Sequence, residues 1–101
     1  SFRLCGEVAD GVILTAGTTA DGVREARDLI DDGRRRAGRD TAPPVTVYMT
    51  ASPDDPEVVA ASVRAMAGAG ADKVVLEPKP EDDPVAYVRF VAEQVAPLTA
   101  P

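Results

Sequence analysis

The sequence predicts a parallel α/β fold assembled from repeated βα units, and three observations carry that prediction. Short apolar runs that do not alternate, Val12-Ile13-Leu14 and Val74-Val75-Leu76, suit parallel strands buried on both faces. Segments of helical periodicity separate the apolar runs, and successive strands lie roughly thirty residues apart, the length of a βα unit. Helix starts and stops fall where such a repeat needs them: Asp55-Pro56 and Asp83-Pro84 open helices, and glycines at Gly38 and between Gly68 and Gly70 close them. The resulting order is αβαβαβα.

Phe2 to Gly6 reads as the tail of a helix that feeds the strand at Ala9 to Leu14. Thr18 and Thr19 then offer capping hydroxyls. From Asp21 to about Arg36, Val23, Ala26, Ile30, Gly33 and Ala37 recur at three- and four-residue spacing, with Leu29 widening the stripe. Arg24, Arg27, Asp28, Asp31 and Arg35 fall on the opposite, solvated face. Pro43-Pro44 keeps any helix from running into the strand Val45 to Met49, where Val45, Val47 and Met49 alternate with Thr46 and Tyr48, so that one face is less apolar.

Asp55 caps the next helix, with Pro56 at its first position and Glu57 favouring the dipole. Val58, Val59, Val63, Met66 and Ala67 form its expected inner stripe. The third strand is Lys73 to Leu76, followed by a proline-rich acidic loop from Glu77 to Asp82. Val85, Val88, Val91, Val95 and Leu98 give the last helix its stripe.

Composition narrows the function classes. The 101 residues suffice for one unit, residues 1–101, and 45% apolar with 28% charged residues is ordinary for a folded domain. A net charge of -6, with Arg34-Arg35-Arg36 flanked by Asp31, Asp32 and Asp40, argues against nucleic acid or an anionic membrane as partner. There is no histidine, so acid/base work would fall to carboxylates, Lys or Tyr, and neither a zinc centre nor a complete hydrolytic triad is expected. The single cysteine, Cys5, reads as a small buried hydrophobe rather than a reactive thiol. With no apolar run approaching the roughly 20 residues of a membrane span and no signal peptide, a cytoplasmic setting is expected.

Cys5-Gly6-Glu7 followed by Val8-Ala9-Asp10-Gly11-Val12-Ile13-Leu14, then Ala37-Gly38-Arg39, Ala67 to Leu76 and the closing Phe90 to Leu98, resemble the luciferase-like family of flavin- or deazaflavin-dependent monooxygenases and reductases. The resemblance covers nearly the whole chain but only the C-terminal part of that family. It implies about three strands of the C-terminal portion of a TIM-type (β/α)8 barrel, a fold of roughly 250 residues. The chain would then be a segment of an oxidoreductase, a partial domain, inactive by itself because the flavin contacts of earlier strands lie elsewhere. Family members usually insert a long helical excursion where Thr50-Ala51-Ser52-Pro53 makes the connection directly here.

The resemblance also implies a cofactor, FMN or a deazaflavin coenzyme, and a small organic substrate. Thr15, Ala16, Gly17 and Thr18 follow a strand's C-terminal end and lead into a helix N-terminus, similar in position to a family loop that contacts cofactor or substrate phosphate. Some relatives carry a lysine where this chain has Thr18, which weighs against a strongly phosphorylated substrate. The same residues equally describe a capped turn with Gly17 selected for its backbone. Glu77 and Lys79, just past the third strand, are candidates to orient a ligand, with mutual pairing in solvent the favoured alternative. Asp10 and Asp72 begin strands at the opposite end and read as structural. Tyr48 reads as packing.

Two further readings stay open: a non-catalytic α/β interaction or assembly unit, and a piece of a sugar-phosphate lyase or epimerase barrel. Both the partial-barrel reading and the open edges of a three-stranded sheet lead us to expect self-association, and no useful FMN affinity for the chain alone.

Overall fold

A computed structural model of the chain describes residues 1–99, so the last two residues of the expected 1–101 unit lie outside the described residues. The elements are α1 (Phe2–Val8), β1 (Val12–Leu14), α2 (Ala20–Arg36), β2 (Val45–Thr50), α3 (Pro56–Ala69), β3 (Lys73–Glu77), α4 (Pro84–Phe90), a π-helical turn (Val91–Val95) and α5 (Ala96–Thr99). The strands form one open parallel sheet in the order β1-β2-β3, with Val12 opposite Val45, and Val47 opposite Val74. Three parallel strands in sequence order are what the βα repeat predicts.

Strand bounds shift from those expected. β1 begins at Val12 rather than near Ala9, because Gly11 and Asp10 form the exposed joint to α1. β2 and β3 each run one residue further, to Thr50 and Glu77, which pair with each other. Glu77 therefore belongs to the strand, not to the loop after it.

Helices cover a single face of the sheet. Val12, Leu14, Val45 and Val47 are buried against Val23, Ala26 and Ile30 of α2 and Met66 and Ala69 of α3, with Met49 and Val74 packed alongside. A second cluster, Val59, Ala60, Phe90 and Val95, takes Leu76 from the same face. Residues of the other parity are left outside both clusters: Ile13 is 66% exposed, and Thr46, Tyr48 and Val75 are half-buried. The expectation of burial on both faces is thus corrected. An apolar triplet such as Val12-Ile13-Leu14 reports that no position is polar, not that each is covered. The radius of gyration, 15.0 Å, fits this open wedge, exceeding the ~13 Å of a closed domain of this length.

Local chemistry sets the helix ends as predicted. Thr19 Oγ1 accepts from Gly22 N (3.1 Å), Asp55 Oδ1 from Glu57 N (3.0 Å) and Asp83 Oδ1 from Val85 N (3.2 Å). Val23, Ala26, Ile30 and Gly33 form the buried stripe of α2. In α3 the buried set is Val59, Ala60, Met66 and Ala69, whereas Val58, expected inside, is 61% exposed.

The last helix departs most. Its expected stripe placed Val85 and Val88 inside, yet they are 63% and 65% exposed while Tyr87 and Phe90 are buried. Its cause is the π turn, in which Ala96 N donates to Val91 O and the phase of the helix slips. Pro97 follows directly; its ring crowds the carbonyl of Glu93 and it lacks an N–H for the preceding turn, and a widened turn relieves that crowding. One 3.6-residue stripe cannot run through such a slip, so the larger aromatic groups of α4 take the core ahead of it.

α1 rests on α2 where a glycine of each helix meets the backbone of the other. A Cβ built at Gly33 would lie 2.7 Å from the carbonyl carbon of Arg3 and nearer still to its oxygen, and one at Gly6 would lie 2.9 Å from Arg34 N. Arg3 Nε donates to Asp32 Oδ2 (2.8 Å), and Arg39 donates to Gly6 O (2.7 Å) and Ala9 O (2.9 Å), fixing the joint into β1. Cys5 packs on the core's rim, half-buried rather than sealed.

Candidate functional site at the C-terminal ends of the strands

The C-terminal ends of β1, β2 and β3 open into three loops on one edge of the sheet. After β1, Thr15 to Thr18 close a β-turn: Thr18 N donates to Thr15 O (3.3 Å), and Thr18 Oγ1 donates to the same oxygen (2.7 Å). Gly17 occupies the third position with φ 96°, a conformation that L side chains rarely adopt and that a type II turn requires there. A Cβ on Gly17 would meet nothing within 4 Å, so the turn's outer side is open to solvent. Thr15, Ala16 and Gly17 are exposed and Thr18 is half-buried. Capping falls to Thr19, which leaves the Thr18 hydroxyl committed to the turn itself.

Glu77, at the end of β3, sits beside Thr50 in register. Alternation puts Thr46, Tyr48 and Thr50 on the uncovered face together with their partners Lys73, Val75 and Glu77. The rim of that face at the C-terminal end is therefore Thr50 and Glu77. Lys79 lies in a closed loop in which Lys79 N donates to Asp82 Oδ2 (2.9 Å) and Asp82 N donates to Lys79 O (3.0 Å). The ion pairs of the described residues do not join Glu77 to Lys79, so the favoured solvated pair is not formed. Strand spacing keeps the Thr15–Thr18 turn and the Glu77–Lys79 segment about 10 Å apart, across β2. They share an edge without touching.

No protein-family model, curated protein or solved structure matches the chain. Geometry alone therefore characterises this edge.

The sequence reading missed a cleft of about 290 Å³ at the mouth of β2, lined by Thr50, Ala51, Ser52, Asp54, Val58 and Ser62 among others. Its signal was the polar stretch Ser52-Pro53-Asp54-Asp55 ahead of a helix start, which reads as a cap and nothing more. The lining offers hydroxyls and carboxylates and no basic group, so it suits a neutral or cationic hydrogen-bond donor rather than a phosphate. A second, apolar hollow of about 250 Å³ lies between β3 and α4, with Val74, Leu76, Val88 and Val91 on its walls.

Electrostatics divide the three loops. The β2 and β3 loops carry Asp54, Asp55, Glu81, Asp82 and Asp83 against the single cation Lys79, whereas Thr15 to Thr19 hold no carboxylate. An anion approaching this edge meets least repulsion at the Thr15–Thr18 turn. Behind the loops, buried Tyr87 donates its hydroxyl to Ala51 O (2.9 Å) and so ties α4 to the β2 loop. Burial pushes the Tyr87 phenol above its ordinary value, and the nearby Asp82 and Glu77 carboxylates add to that.

At the other end, Asp72 is structural. Its Oδ2 accepts from both Val45 N (2.8 Å) and Arg27 Nη1 (3.1 Å), and Asp72 N donates to Val45 O (2.8 Å), binding the starts of β2 and β3 to α2. Asp10 is exposed in the joint before β1. No group of three or more Cys, Asp or Glu among the described residues is arranged to hold a metal ion, and none of their helices is long and apolar enough to cross a membrane.

Proposed function

We propose that the chain supplies three consecutive βα units to the wall of a TIM-type barrel in a luciferase-like oxidoreductase, a flavin- or deazaflavin-dependent monooxygenase or reductase. One observation carries the barrel part: the helices cover only one face of a sheet ordered β1-β2-β3, leaving Ile13, Thr46, Tyr48 and Val75 as an uncovered face like a barrel's inner wall. The flavin part rests on the family resemblance of Cys5 to Leu14 and Ala67 to Leu76. A cytoplasmic setting belongs to the same reading.

The Thr15–Thr18 turn fits a cofactor phosphate in being open, without a carboxylate of its own and set at the start of α2, where the helix dipole favours an anion and the carboxylate of Asp21 in the first turn is paired with Arg24 (2.8 Å). The bound flavin or deazaflavin would supply the electron or hydride transfer. This chain's share is positional: Thr15 to Thr18 hold the phosphate, while Glu77 and Thr50 on the rim orient the organic substrate and Lys79 offers a counter-charge. Tyr87 keeps the Ala51 loop in place behind them. The acidic β2 and β3 loops favour a substrate without phosphate, which sets this reading above a sugar-phosphate lyase or epimerase.

Backbone amide NMR titration with FMN, and separately with a deazaflavin coenzyme, tests the assignment. Weak binding, on the order of millimolar for want of the remaining walls, should shift Thr15 to Thr19 first and Thr50, Glu77 and Lys79 next. Inorganic phosphate should reproduce the first set alone. Shifts confined to the apolar hollow between β3 and α4, or none at saturating cofactor, would refute it. A non-catalytic assembly unit is the second reading, favoured by the exposure of Ile13.

A further inference from the structure

The uncovered sheet face carries its own charge complement. Lys73 and Glu77 lie on the same strand and, by alternation, on the same face, four residues and so about 13 Å apart, with Val75 midway. Beside Val75 in register is Tyr48 of the central strand, and beside Lys73 is Thr46, whose own neighbour on β1 is Ile13. The face thus has a positive end, an apolar middle and a negative end.

We propose that this face docks a second copy of the chain, sheet against sheet, about a two-fold axis that crosses the strands at the Tyr48–Val75 row. Such an axis sets the two sheets antiparallel, so Tyr48 and Val75 meet their own counterparts and Lys73 of each copy faces the partner's Glu77. Thr46 falls over the partner's Thr50, and Ile13 lies towards the partner's Thr15–Gly17 turn. The usual angle of about 30° between aligned sheets is within the reach of a lysine side chain. A face of one sign, or charges on opposite faces, would not complement itself in this way; the order positive, apolar, negative along one strand does.

The footprint sets the strength. Three strands about 4.8 Å apart and about five residues long give a contact below the ~1,200 Å² of stable interfaces, and the net charge of -6 on each copy opposes approach. The dimer is therefore weak and transient. This inference goes beyond the oxidoreductase reading and competes with it for one face, since the residues that would line a barrel's interior are here covered by the second copy; it concerns the chain by itself.

Sedimentation velocity across a concentration series, with circular dichroism melts as the folding control, tests it by charge swap. K73E and E77K each place like charges at two symmetric contacts and should weaken the dimer about tenfold. The double variant K73E/E77K restores both pairs in reverse and should regain the wild-type constant. Ile13→Asp should weaken association, and dilution of the wild type should shift the amides of Ile13, Tyr48 and Val75. A wild type that stays monomeric to millimolar concentration overturns the proposal. So do single reversals without effect, which would put the contact elsewhere, and a double variant no tighter than the singles, which would disprove the register.

Discussion

Replacing Gly33 by alanine tests the contact on which the first helix depends. The same substitution normally stabilises a helix by up to about 1 kcal/mol, because glycine loses more backbone freedom on folding. At Gly33 a Cβ would stand 2.7 Å from the Arg3 carbonyl carbon and 3.0 Å from its Cα, with the carbonyl oxygen closer still, all of them backbone atoms that cannot rotate away. Relief requires α1 to retreat by roughly an ångström, an overpacking that costs about 1–3 kcal/mol. Retreat also stretches the Arg3–Asp32 pair and the Arg39 bonds to Gly6 and Ala9. Set against the propensity gain, the net loss is about 0–2 kcal/mol, or a fall in Tm of up to about 15 °C for a domain of this size. Gly68 in α3 is the control: a Cβ there meets nothing within 4 Å, so Gly68→Ala should stabilise by about 0.5–1 kcal/mol. Thermal and urea melts by circular dichroism read the sign, and amide exchange locates the change in α1. If Gly33→Ala proves as stabilising as Gly68→Ala, the close approach of α1 and α2 does not exist in solution.

Two further perturbations follow from side-chain chemistry. Tyr87→Phe removes the hydroxyl that holds Ala51 O and should cost about 1 kcal/mol in urea melts, with faster amide exchange through Ala51 to Asp54; unchanged exchange there would mean the tie is not formed. Because the folded phenol is raised, its stabilisation is present below the ordinary tyrosine value near pH 10 and lost as pH climbs through the folded value, so the phenylalanine variant should show a flatter alkaline limb. Asp32 runs the other way: its hydrogen bond from Arg3, reinforced by Arg36 and Arg35, holds its carboxyl below the usual range despite some desolvation. Its stabilisation is therefore present above the unfolded value near pH 4 and lost as pH falls through the folded one, so Asp32→Asn should blunt the acid limb of a stability profile; an acid limb identical to the wild type's would show that the pair carries no weight.

What the sequence made legible follows physical range. Caps at Asp55 and Asp83 and the parallel order of the strands rest on neighbours a few residues apart or on the chain length of a crossover, and they emerge as read. Coverage of Ile13 depends on what lies on the far side of the sheet, which no local pattern encodes. Val85 and Val88 looked like a core stripe because valine is apolar in any setting, and only the phase slip before Pro97 turns them outward. At the strand mouths, Thr15 to Thr18 were readable because a Thr/Gly loop after a strand has few local solutions. The cleft beside Ser52 and Asp54 arises from how α3 leaves β2, an angle set by packing rather than by composition. Gly6 and Gly33 were visible as small residues, but the close approach that each makes to the other helix's backbone, Gly6 to Ile30 and Arg34 and Gly33 to Arg3, was not.

The two ends of the strands differ in how they are tied, and this separates stability from ligand contact. Asp72 joins β2, β3 and α2 at the N-terminal ends through one carboxylate oxygen, and Arg39, past the end of α2, holds the end of α1 through two carbonyls. Each of these bonds spans elements distant in sequence, so each fixes the relative placement of whole units. At the C-terminal ends most bonds are local: Thr18 to Thr15, Asp55 to Glu57, Lys79 to Asp82, with Tyr87 to Ala51 the long-range tie. Local bonds shape a loop without anchoring it, which leaves those loops free to adjust to a ligand at small cost to the fold. Substitutions at Asp72 or Arg39 should therefore register in the melting temperature, and, on the proposed assignment, substitutions at Thr15, Glu77 or Lys79 in cofactor titrations. The polarity of the wedge comes from that division, with a stitched base and an adaptable edge built on the same three strands.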